Sequence, residues 1–126
     1  MKVSANDRNI TILKKIAKYC DRINAAKERF GASLEALSND EIYMNATAMC
    51  ILQIGELTTH LSVEFRKQYN AMPWQQIKDM RNIAAHHYGE FSAARLWATM
   101  ETEIDPLRDY CRDSIAKLES EPEFSS

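Results

Sequence analysis

Residues 41 to 57 read Glu41-Ile42-Tyr43-Met44-Asn45-Ala46-Thr47-Ala48-Met49-Cys50-Ile51-Leu52-Gln53-Ile54-Gly55-Glu56-Leu57, and this stretch decides the fold. Tyr43, Thr47, Cys50, Ile54 and Leu57 recur at spacings of three and four, and the series continues through Leu61 and Phe65. That period belongs to a helix buried along one face, and the segment has none of the strict alternation of a strand. We expect a long central helix, opened by a capping-box pair at Ser38 and Glu41. A second face, carrying Ala48, Ile51 or Leu52, Gly55 and Thr59, is small or apolar, so another helix can come close there. That neighbour is either internal or part of a second subunit.

Working outward, the same spacing fills the chain. Ser4 stands three residues before Asp7 in a second capping-box arrangement, followed by the stripe Leu13, Ile16, Cys20, Ile23 and Phe30 and a left-handed stop at Gly31. A short polar connection then leads to the central helix. Asn70-Ala71-Met72-Pro73 marks a turn, and Pro73 suits the first position of a helix running through Trp74, Ile77, Met80 and Ala84 to an end by Gly89. The last segment starts at Ser92 and keeps Leu96, Met100, Ile104, Leu107, Cys111, Ile115 and Leu118 in register past Pro106, which should kink or restart the helix without changing its buried face. The expected architecture is all-α, an up-and-down bundle of four to five helices forming one domain over residues 1–119, with a flexible tail over 120–126.

Composition narrows the classes of function. The 126 residues carry a formal net charge of −2, so any hold on nucleic acid must come from a local basic patch. Charge is uneven: residues 1–30 hold eight Lys or Arg against three acids, and residues 89–126 hold four against nine. The asymmetry fits pairing with a partner or two solvated helix faces. Three widely spaced cysteines, Cys20, Cys50 and Cys111, lie within apolar helical patterns, which predicts core thiols in a reducing compartment. With neither a signal-like apolar run at the start nor a membrane-length apolar stretch later, a cytoplasmic location is expected. The sequence has no Gly-rich phosphate loop, no Cys-x-x-Cys and no Glu-x-x-His pair of the di-iron kind, so we expect neither metal nor cofactor.

The chemistry-bearing stretch is Met80-Arg81-Asn82-Ile83-Ala84-Ala85-His86-His87-Tyr88-Gly89, which gathers a permanent cation, two imidazoles and a phenol near a helix end. At about 100° per residue His87 leans toward the core stripe and His86 away from it, while His86 points about 140° from Arg81 on a straight helix. Convergence of Arg81, His86 and Tyr88 therefore needs an irregular helix end or a two-fold partner. Arginine grips phosphate, and histidine exchanges protons near neutrality, so the set can serve phosphodiester transfer without a metal. The same residues can equally cap carbonyls and pack their apolar stems. Gln53, Glu56 and His60 form a polar line on the central helix, either a solvated face or, if it meets a dimer cleft, a support that orients His86 or Arg81.

Arg81-Asn82-x-x-x-His86-x-Tyr88 resembles the R-x4-H-x-Y signature of HepT toxins in the HEPN superfamily. Pro73-Trp74, Met80-Arg81-Asn82 and Ile54-Gly55-Glu56 resemble the same pattern in the same order, over most of the chain. The resemblance implies a homodimeric ribonuclease toxin of a toxin-antitoxin pair, acting on tRNA or mRNA. In it Arg81 binds the scissile phosphate, His86 is the acid-base group, Asn82 and Tyr88 support them, and Tyr88 also receives AMP from a MntA-like nucleotidyltransferase antitoxin. His87 departs from the pattern and either assists or packs. Competing readings are a non-catalytic HEPN dimer that serves the nucleotidyltransferase as modification acceptor, and a purely structural helical dimer.

Overall fold

The computed structural model describes residues 4–85 and 93–120, the side chains of 83–85 excepted. Among the described residues every regular element is helical: α1 (Ala5–Phe30), α2 (Leu34–Ser38), α3 (Glu41–Thr58), α4 (Val63–Gln68), α5 (Trp74–Ala85), α6 (Ala93–Thr102) and α7 (Ile104–Ser120). This is the all-α HEPN-like bundle, with two short helices added at the corners. No helix of the described residues is long and apolar enough to cross a membrane.

α1 is the spine. Ser4 Oγ accepts from the Asp7 backbone N–H at 3.0 Å, the expected cap. Leu13, Ile16, Cys20 and Ile23 are fully buried. Gly31 has φ 118° and ψ 133°, positive in φ as expected but extended in ψ rather than left-handed helical, and its N–H still closes on Lys27 O at 2.9 Å. α1 packs on α3 and, antiparallel, on α7, while α3 also packs on α5. Pairs at 14 with 119 and 21 with 112 fix the α1–α7 direction, and with 27 to 101 of α6 they place the acid-rich end of the chain against α1.

Three boundaries differ from the sequence reading. The connection after Gly31 holds α2, because Ser33 Oγ caps Ala36 N–H at 3.0 Å and Leu37 is fully buried. Ser38 ends α2 instead of opening α3. Asp40 takes that role, its Oδ1 accepting from the N–H groups of Ile42 and Tyr43.

The long helix also stops at Thr58. Thr59, His60 and Leu61 donate backbone bonds three residues back, and Ser62 then caps α4 through the Phe65 N–H. The corner is pinned from α1. Asn9, buried, donates from Nδ2 to Ser62 Oγ at 3.1 Å and accepts from Ser62 N–H at 3.0 Å. Leu61 and Phe65 stay buried, so the apolar spacing survives a break it does not report.

Pro106 lies in the first turn of α7, where a missing N–H is tolerated, and the helix restarts after Glu103 with Leu107, Cys111 and Leu118 still inward. Ser120, expected to begin the tail, is the last residue of α7, and the rest of that tail, 121–126, lies outside the described residues together with Gly89 and Ser92. Cys20 and Cys111 are buried free thiols and Cys50 is half-buried, matching the core reading for the first two.

Candidate active site

α5 carries Arg81 and is anchored at its start by Trp74. The indole Nε1 donates to Tyr69 O at 2.8 Å, and the ring meets Phe65 at 5.7 Å and Tyr110 edge-on at 5.9 Å. Pro73 falls one residue earlier than expected, its carbonyl accepting from Ile77 N–H at 3.0 Å. Ile77 and Met80 bury the inner face of α5 against α3.

The two helices meet backbone to backbone. A Cβ placed on Gly55 would lie 2.8 Å from Arg81 Cβ, 2.9 Å from Arg81 N and 3.0 Å from Lys78 O. The small face of α3 thus receives α5 of the same chain. The next residue completes the arrangement: Glu56 Oε1 accepts from an Arg81 Nη at 3.0 Å. The sequence reading gave Glu56 this task only if it faced a dimer cleft. It reaches Arg81 within one chain, because Gly55 removes the side chain that would hold α5 away.

The Arg81 side chain keeps 37% of its surface exposed and Glu56 keeps 49%. The pair is therefore open to solvent and to a ligand, and a bond of this exposure does more to aim the guanidinium than to stabilise the fold. Asn82, one residue on, is exposed. His60 sits beyond the end of α3 in the exposed turn, so the polar line of Gln53, Glu56 and His60 does not act as one unit. His86, His87 and Tyr88 lie outside the described residues, and with them the question of how an imidazole reaches Arg81. Among the described residues, no group of three or more His, Cys, Asp or Glu side chains is placed to hold a metal ion.

A family model described as "Ribonuclease HepT-like" matches residues 12–114, a span holding both Gly55-Glu56 and Arg81. The chain belongs to the HepT-like ribonuclease family. A relative from Caldanaerobacter subterraneus subsp. tengcongensis, described as a candidate RNase, is 29% identical over 87 residues, 69% of this chain and 78% of its own length. Another, a candidate RNase of Methanocaldococcus jannaschii, is 25% identical over 99 residues, 79% of this chain and 83% of its own. A third, described as a gamma-glutamylcyclotransferase and candidate RNase of the same organism, is 32% identical over 56 residues, 44% of this chain and 25% of that protein. No solved structure matches the chain. Membership in the HepT-like family makes this an HEPN-type protein of a ribonuclease family.

Proposed function

We propose that the protein is a metal-independent endoribonuclease and the toxin of a toxin-antitoxin pair. One observation carries the reading: in a HepT-like chain, the arginine of the chemistry-bearing stretch is held half-exposed by a carboxylate from the neighbouring helix. A guanidinium fixed in this way offers parallel N–H donors to a phosphate, the geometry that arginine supplies best. His86 takes the proton of the RNA 2′-hydroxyl, the 2′-oxygen bonds to phosphorus, and the 5′-oxygen leaves with a proton, giving a 2′,3′-cyclic phosphate and a free 5′-hydroxyl. Arg81 neutralises the charge that grows on the phosphoryl oxygens. Asn82, exposed beside it, supports substrate contact.

The active unit is a homodimer, since a second copy supplies the imidazole that one straight helix cannot aim at its own arginine. Ile42 and Met49, 70% and 52% exposed on the outer face of α3 that also carries Glu56, give that copy an apolar surface to cover. A MntA-like nucleotidyltransferase silences the enzyme by transferring AMP to Tyr88, which sets a bulky anion against the phosphate site. Both proteins act in the cytoplasm, where the toxin cuts tRNA or mRNA.

The decisive experiment incubates purified protein with RNA in excess chelator. Wild type cleaves, while Arg81→Ala and His86→Ala each lose at least about a hundredfold in rate and keep their helical circular dichroism. RNA left intact by wild type, or growth arrest that persists in both variants, refutes the ribonuclease reading. AMP found on Tyr88 of a protein that never cuts RNA replaces it with a non-catalytic partner of the nucleotidyltransferase.

A further inference from the structure

Seven of the eight cations of the first thirty residues lie on α1, where they are sorted by partner. Lys14 and Lys27, with Asp21, pair with the carboxylates and arginine of α6 and α7: Lys14 with Glu119 at 3.3 Å, Lys27 with Glu101 at 2.9 Å, and Asp21 with Arg112 at 2.8 Å. Arg8, Lys15, Lys18, Arg22 and Arg29 do not. Their spacings of seven, three, four and seven residues keep all five within about 80° on one edge of the helix. Among the described residues none of the five forms an ion pair with a carboxylate. A chain with a net charge of −2 thus holds a row of uncompensated cations about 30 Å long.

The middle of that row borders a groove. Lys15, Lys18, Tyr19 and Arg22 of α1 line it on one side, Gln53 and Leu57 of α3 on the other, around a cavity of about 280 Å³. Arg22 lies over the Tyr19 ring at 5.0 Å. Gln53 is one turn from Glu56 on the same side of α3, so the groove opens beside the carboxylate that holds Arg81.

We propose that this α1 edge is the track for single-stranded RNA leading to Arg81. Lys15, Lys18 and Arg22 contact successive phosphates, and the Tyr19–Arg22 pair offers a flat surface against which a base stacks. The proposal rests on the ribonuclease reading for the identity of the ligand, and it adds the surface that holds substrate away from the cleaved bond. Cations arranged linearly beside an aromatic ring suit a phosphate backbone. An acidic protein patch would be matched as well by the charges but would have no use for the half-buried ring that lines the groove.

The test uses the full-length protein and a short, fluorescein-labelled 2′-O-methyl RNA, which keeps the phosphates but cannot supply the attacking hydroxyl. Affinity is read by anisotropy across about 50 to 200 mM salt. Replacing Lys15, Lys18 and Arg22 together by alanine should weaken binding at least about tenfold at low salt and lower the slope of log affinity against log salt by about 2, as expected for three lost single-strand contacts. Lys14→Ala, whose ammonium is paired with Glu119 of α7, should change neither.

Equal losses in the triple variant and in Lys14→Ala, or no loss in the triple variant, overturn the proposal. A triple variant that retains RNA but loses polyglutamate overturns it in favour of an acidic protein partner. Cleavage of unmodified RNA separates the two readings: wild-type protein that binds RNA through the α1 edge yet never cuts it defeats the ribonuclease reading and leaves the track. Cutting that the triple substitution does not affect defeats the track alone.

Discussion

Between α1 and α7, charged side chains bridge the rim of a buried apolar seam, whereas between α3 and α5 the backbones touch at Gly55 and a single described ion pair, Glu56–Arg81, spans the contact. The first seam is built of Leu13, Ile16, Cys20 and Ile23 against Leu107, Cys111 and Leu118, all buried. Its ion pairs add little to what burial already supplies, because both partners of Arg112–Asp21 and of Lys14–Glu119 are about half exposed. The second seam gives up side-chain volume at Gly55 so that a cation on α5 can be reached from α3. Similar ion-pair chemistry thus finishes a structural seam in one place and aims a reactive group in the other.

High pH should break the first seam before the second. Burial pushes the Cys111 thiol from its ordinary 9.0 up to about 12. Burial, and then the neighbouring Cys111, raise Cys20 further still. The folded state therefore holds these protons more tightly than the unfolded chain. Their contribution is complete below pH 9.0 and is lost as pH rises toward the folded values, by roughly 1.4 kcal/mol per pH unit for each thiol. Urea midpoints measured from pH 8 upward should fall steeply beyond pH 9, and a Cys20→Ala, Cys111→Ala variant should start lower but show a flatter decline. An unchanged decline in that variant would remove the thiols from the account.

Gly55→Ala attacks the second seam. The added Cβ meets Arg81 Cβ, Arg81 N and Lys78 O at 2.8 to 3.0 Å, two of them backbone atoms that cannot rotate away. The gain in helix propensity, about 1 kcal/mol, should be outweighed by overpacking, for a net loss of about 1–3 kcal/mol in chemical denaturation. Displacing Arg81 by even a fraction of an ångström should also cut RNA cleavage about a hundredfold. A variant as stable and active as wild type would show that the helices do not need this contact.

The sequence made the buried faces legible and left several corners hidden. Ser4, Trp74 and the α7 stripe act as their residue types and spacing foretell, because capping and burial are local or periodic signals. The break after Thr58 left no trace in the apolar spacing, since Leu61 and Phe65 remain inward. What interrupts the helix is Ser62 held by Asn9, a partner 53 residues away. Asp40 displaced Ser38 as cap because Ser38 is occupied in ending α2. At the site, Gly55 read correctly as a place of close approach, but only the packed structure shows that the approaching residue is Arg81. The α1 edge needed the acidic partners of Lys14 and Lys27 to be found before the uncompensated cations stood apart.

Glu56→Gln sharpens the claim that this carboxylate aims rather than stabilises. The amide keeps the shape and an acceptor oxygen but loses the charge, so stability should stay within about 0.5 kcal/mol. Cleavage should drop about tenfold through a less well held Arg81. If stability falls and cleavage does not, Glu56 belongs with the ion pairs of the α1–α7 rim.

Arg112→Ala supplies the opposing case and the smallest effect. One Arg112 Nη donates to both Asp21 oxygens, at 2.8 and 3.0 Å, where Arg81 makes a single contact with Glu56 at 3.0 Å. On distance alone it should matter more. Exposure keeps its contribution to stability small all the same, because solvent competes for both partners and two flexible chains must be ordered. The double-mutant cycle with Asp21→Ala should therefore give a coupling of no more than about 1 kcal/mol. RNA cleavage should be unchanged, since neither side chain contacts Arg81 or lines the groove beside α1. A coupling several times larger, or a loss of cleavage, would mean that the two seams are linked through α1 and that the division of labour between them is wrong.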